Sequence, residues 1–130
     1  MNMDPTAQTT IHERIRILAM RFVERCLGDT VSMRAIAAQI RDDVESAEES
    51  DDIDLSPLRQ LEHLAHKIHG TGASFGYATL SECGGAVERL AESLIQTETT
   101  LDKEACDALD ESIARLSNEV DAIAVTQGLK

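Results

Sequence analysis

Leu58-Arg59-Gln60-Leu61-Glu62-His63-Leu64-Ala65-His66-Lys67-Ile68-His69-Gly70-Thr71-Gly72-Ala73-Ser74-Phe75-Gly76 sets the reading of the whole chain. Leu58, Leu61, Leu64, Ala65 and Ile68 recur at the spacing of one face of an α-helix. At about 100° per residue, His66 points roughly 150° away from the centre of that stripe, so it faces outward. Gly70 follows one turn later, where any side chain would crowd the imidazole. Two readings of Gly70 and Gly72 stand open. They lie inside a continuing helix, at about 1 kcal/mol each relative to alanine, or they are C-cap glycines that end it just after Ile68.

Outward from this segment, the chain reads as five helical stretches. Ile11, Ile15, Leu18, Phe22 and Cys26 form the first stripe, which Gly28 is expected to end. Asp29 or Thr30 would cap the second, with Met33, Ile36, Ala37, Ile40, Val44 and Ala47 on its apolar side. The acidic run Glu48–Asp54 reads as a loop, and Ser56-Pro57 opens the His66 helix with serine as N-cap and proline in the first turn. Gly76 is expected to close that helix, with Thr79 or Ser81 near the start of the next. Leu80, Cys83, Val87, Leu90 and Leu94 mark the fourth stretch. After a turn around Thr97–Thr100, Leu109, Ile113, Leu116, Val120 and Ile123 mark the last. Alternating three- and four-residue spacings with short connections predict an antiparallel helical bundle.

Composition agrees. At 130 residues the chain fits one domain, 1–130, with 1–9 expected as a flexible lead-in. Phe22, Phe75 and Tyr77 are the only aromatic residues, so the core must be aliphatic. A net charge of -12 argues against a nucleic-acid partner. Cys26, Cys83 and Cys106 form no C-x-x-C pair, and an odd count argues against a disulfide framework. Neither a membrane-spanning stretch nor a signal-peptide pattern is legible, so a cytoplasmic protein with no membrane association is expected.

The string around His66 resembles the phosphoacceptor motif of histidine-containing phosphotransfer (HPt) domains. His66, Ile68, Gly70, Ala73, Phe75 and Gly76 stand at the matching positions, and Leu80, Cys83, Val87-Glu88 and Leu90 resemble the family's following helix. The likeness implies an all-α, antiparallel four-helix bundle, here with an additional N-terminal helix. It also implies that His66 is the phosphoacceptor, relaying phosphoryl groups between aspartates of receiver domains in response regulators or hybrid histidine kinases. Magnesium would belong to the receiver, so this chain needs no cofactor, and the family expectation is a monomer. One position departs from the pattern: His69 stands where the family carries a lysine.

Several residues acquire alternative roles. Arg59, Glu62, His63, His69 and Ala73 fall within about 60° of His66 on the helix. His69, when protonated, would support the phosphoryl group together with Gly70 and a more distant Arg59, or it is a solvent-exposed spacer. Glu62, His63, Lys67 and Ala73 are the expected docking surface, joined by uncovered apolar residues of the first two stretches, where Ile17 and Met20 lie off the main stripe. Glu88 supports the site from the next helix or is an ordinary surface glutamate. Gly84-Gly85 marks a close approach of two helices or a kink. His63, His66 and His69 fan across about 120° rather than converging, so no metal site is expected. Cys83 lies on an apolar stripe, which disfavours a thiol nucleophile. The competing functional class is a non-catalytic adaptor or inhibitor that keeps the fold and docks a kinase or response regulator without carrying phosphate.

Overall fold

The computed structural model describes residues 5–48, 52–97 and 101–130. Four helices follow in order: α1 (Pro5–Ser46), α2 (Ser56–Ser74), α3 (Ala78–Gln96) and α4 (Lys103–Thr126). Each packs on its two neighbours in a ring, α1 on α2 and α4, α3 on α2 and α4, with α2 against α3 the most extensive interface. Side chains fix the antiparallel sense. Arg41, near the end of α1, pairs with Asp107 at 2.8 Å and Asp110 at 2.6 Å near the start of α4. Phe22, in the first half of α1, stacks on Phe75 beyond the end of α2, with ring centroids 5.5 Å apart. The core is aliphatic, with Met33, Leu58, Leu61, Ile68, Leu80, Leu109, Ile113 and Leu116 buried.

The bundle expected from the sequence is present, but its first two stretches are one helix of 42 residues. Among the described residues there is therefore no separate N-terminal helix, and residues 5–9 of the expected lead-in are the start of α1; residues 1–4 lie outside the described residues. Gly28 does not stop α1 because its φ is not positive, as an αL cap would require. It is exposed, and the stripes on either side stay in phase: Phe22, Cys26, Met33 and Ile40 face the core together. Thr30 is no N-cap either, since its hydroxyl donates to the Leu27 carbonyl within the helix at 3.1 Å.

Near its start α1 leaves the bundle behind. At 1.5 Å per residue it spans about 63 Å, against about 28 Å for α2. Ile11, Ile15 and Leu18 continue the core-facing stripe but remain 39%, 50% and 52% exposed, and Ile17 is exposed on another side.

The His66 helix runs through both Gly70 and Gly72 and ends at Ser74, two residues before Gly76. Gly76 instead makes the left-handed turn, with φ +80°. That turn lets the Tyr77 amide donate back to the Gly72 carbonyl at 2.9 Å. At the other end of α2, Leu55 rather than Ser56 holds the cap position, and the Ser56 amide donates to Asp54 Oδ1 at 3.0 Å. The capping oxygen thus comes from the acidic loop, of which residues 49–51 lie outside the description. Of the turn expected at 97–100, only Thr97 is described, in an extended conformation.

Candidate functional site

His66 stands on the outer face of α2, its side chain 70% exposed, while the Glu88 side chain that meets it from α3 is only 18% exposed. The contact joins His66 Nδ1 to Glu88 Oε2. An ionised carboxylate only accepts, so Nδ1 carries the proton and donates it. A neutral ring then keeps its lone pair on Nε2. The exposed imidazole is thereby held in one tautomer by a largely covered carboxylate. Glu88, read either as a support of the site or as an ordinary surface glutamate, is largely covered and contacts His66.

Arg59, Glu62, His63, His66 and Glu88 line one open cleft of about 370 Å³. Arg59, Glu62 and His63 are thus brought to the histidine as the helical spacing predicts. Gly70 and Ala73 are exposed along the same helix, and a Cβ added at Gly70 would meet nothing within 4 Å. The clearing beside His66 is therefore open to an approaching molecule. Lys67 is exposed on α2, and its charge pulls the Asp29 carboxyl of α1 down against the stronger upward push of burial.

His69 departs from the shared face. Its ring is tucked against α3, with Nδ1 donating to the Ser81 carbonyl at 2.8 Å and lying 3.1 Å from Ser81 Oγ. The Ser81 hydroxyl donates in turn to the His69 carbonyl at 2.7 Å. His69 is therefore not an exposed spacer; in its neutral form it spends its one N–H on α3.

Gly84-Gly85 is a close approach of α2 and α3, and α3 runs unbroken through both glycines. A Cβ on Gly84 would lie 3.0 Å from the His69 backbone nitrogen, and one on Gly85 would lie 2.9 Å from His69 Nδ1. Gly72 adds a third small position, 3.4 Å from the Ser81 nitrogen by the same measure. These glycines bring α2 and α3 together where His66 and Glu88 must touch. Ser81 was missed as a site-supporting residue because its partner lies twelve residues back on another helix. The only signal available was the glycine pair.

Cys83 is half-buried, and burial, then Glu119 and Glu82, raise its thiol pKa while Arg115 opposes them. It faces the α4 side, away from His66. Among the described residues no group of three His, Cys, Asp or Glu side chains is placed to hold a metal ion, and no helix is long and apolar enough to cross a membrane. A larger open depression of about 590 Å³ lies by the loop after α1, lined by Asp43, Asp52 and Asp54 among others. Among the described residues its lining holds no cation, and its one hydroxyl, that of Ser46, donates to the Asp42 carbonyl at 2.7 Å.

In comparisons with known proteins, residues 31–119 match the Hpt domain. No curated protein and no solved structure matches the chain. The matched residues run from the middle of α1 into α4 and include His66, Glu88 and the glycines between their helices. That match spans more than half of the sequence, and the chain belongs to the Hpt domain family, which takes part in phosphotransfer in two-component systems.

Proposed function

We propose that the protein is a phosphorelay intermediate in which His66 accepts a phosphoryl group from an aspartyl phosphate of one receiver domain and passes it to the aspartate of another. The observation that carries this reading is the exposed His66 ring with Nδ1 held by Glu88, which leaves Nε2 as the outward nucleophile. In the forward step Nε2 attacks phosphorus, the N–P bond forms, and the P–O bond breaks with its electrons leaving on the receiver aspartate. The ring then carries a proton on one nitrogen and phosphorus on the other, and Glu88 faces the resulting positive charge. Reversal on a second receiver returns the ring to neutrality. Little covalent chemistry is asked of the protein, and positioning dominates.

Receiver domains of response regulators or hybrid histidine kinases are the partners in this reading, with magnesium held on their side and a cytoplasmic setting. The exposed Gly70 and Ala73, with Glu62, His63 and Lys67, supply the rim on which a receiver docks.

The test is transfer from a panel of phosphorylated receivers to the wild type and to His66→Gln, with acid lability of the label as the chemical signature. Acid-labile labelling of the wild type alone is expected. Tight receiver binding with no label on either protein would refute the carrier role and favour an adaptor.

A further inference from the structure

A phosphoryl group on His66 brings a charge of about −1.5 to −2 into a site whose nearest carboxylates, Glu88 and Glu62, are already negative. The chain as a whole carries -12. Cations near the phosphoryl oxygens offset that charge, and Arg59, two turns before His66 on α2, lines the same cleft. The Lys67 charge acts on Asp29 of α1, and the His69 ring is engaged with α3, where Nδ1 donates to the Ser81 carbonyl. On α3 a different group arrives. A Cβ built on Gly85 would lie 3.1 Å from Arg89 Nη1 and 2.9 Å from His69 Nδ1. The Arg89 guanidinium thus folds back over Gly85, one turn earlier on its own helix, and ends beside the His69 ring. His69 is itself one turn from His66 on α2, a separation of about 5–6 Å between Cβ atoms. Arg89 is exposed and forms no ion pair with any described residue, so its donors are free.

We propose that Arg89 binds the phosphoryl group carried by His66, supplying from α3 the fixed positive charge that His69 does not supply from α2. A guanidinium suits the task because it stays charged and offers paired donors to phosphate oxygens. Gly85 has a part in this: its missing side chain leaves the space in which the guanidinium lies beside the His69 ring. Glu88 and Arg89, adjacent in sequence, then divide the work, one holding the imidazole and the other the group attached to it.

The inference rests on His66 being phosphorylated, so its test uses two donors. Phosphoramidate, a small anionic donor that needs no docking surface, and a phosphorylated receiver are each given to wild type, R89A, R89K and R115A. Arg115 lies on α4 and pairs with Glu111, so R115A controls for loss of one positive charge. R89A is expected to label about tenfold more slowly with both donors, the effect of losing one charge-assisted contact, with R89K intermediate and R115A like wild type. Equal rates for R89A and wild type, or an equal slowing by R115A, would overturn the proposal. Labelling of the wild type by phosphoramidate but by no receiver would instead refute the relay reading while Arg89 is still judged by the first donor. No labelling by either would refute both.

Discussion

Adding one methyl group to Gly70 and to Gly84 should move stability in opposite directions. Both glycines lie inside helices and neither has a positive φ, so alanine fits the backbone at each. At Gly70 the new Cβ would meet nothing within 4 Å. Only the helical preference of alanine is then felt, a gain of about 1 kcal/mol. At Gly84 the Cβ would lie 3.0 Å from the His69 nitrogen, 3.2 Å from Ile68 Cγ2 and 3.3 Å from the Ala65 oxygen. Two of these atoms are α2 backbone and cannot rotate away, so the helices must separate. Overpacking of this kind costs about 1–3 kcal/mol, which after the same helical gain leaves a net loss of about 0–2 kcal/mol. With a urea slope of about 1–3 kcal/mol/M, the two unfolding midpoints should lie on the order of 1 M apart, Gly70→Ala the higher. Circular dichroism through a urea titration reads this directly. If Gly84→Ala raised the midpoint as much as Gly70→Ala, the glycines would not be setting the spacing of α2 and α3. Activity should separate from stability: Gly70→Ala, the firmer fold, places a methyl group on the open rim beside His66 and should accept phosphate from a receiver more slowly than wild type.

Two other outcomes follow from the same geometry. Glu88→Ala should slow phosphate acceptance at His66 about tenfold by releasing Nδ1, and Glu88→Gln, which keeps an accepting oxygen, should recover part of that loss; equal rates for the two variants would show that the hydrogen bond does not position the ring. Burial pushes the Cys26 thiol up to about 12, with Asp29 adding to the effect and Arg25 opposing it. Native Cys26 should therefore be alkylated at pH 8 about three orders of magnitude more slowly than an unfolded cysteine, as peptide mass mapping would read, and fast native labelling would contradict its place in the core.

Much of this architecture is written in the apolar periodicity. Leu58, Leu61, Ala65 and Ile68 are buried together, and the outward angle of His66 follows from them. What the pattern could not decide was where helices stop. Gly28 and Gly76 look equally able to end one, yet only Gly76 has a positive φ; the choice is made by whether the flanking stripes remain in phase once neighbours pack on them. Side-chain direction was harder still. By angle alone His69 belongs with His66, but Gly85 opens a hollow on α3 and Ser81 offers an acceptor there, so the ring turns aside. Arg89 carries no sequence signal of its own, since its position depends on that same hollow. The exposure of Ile11, Ile15 and Leu18 was equally hidden, because it depends on how far the other three helices extend alongside α1.

The turn between α2 and α3 has a consequence for how the site comes into being. Three residues, Phe75, Gly76 and Tyr77, connect the helices, and His66 and Glu88 are separated by 22 positions within the single hairpin they form. Bringing them together closes a short loop, and short loops close quickly and with little loss of chain entropy. The glycines that seat α3 on α2 belong to the same unit, as do Ser81 and Arg89. The reactive pair can therefore assemble early in folding, before α4 completes the ring. It should also outlast fraying of the first turns of α1, whose amides would exchange with solvent long before those of the hairpin.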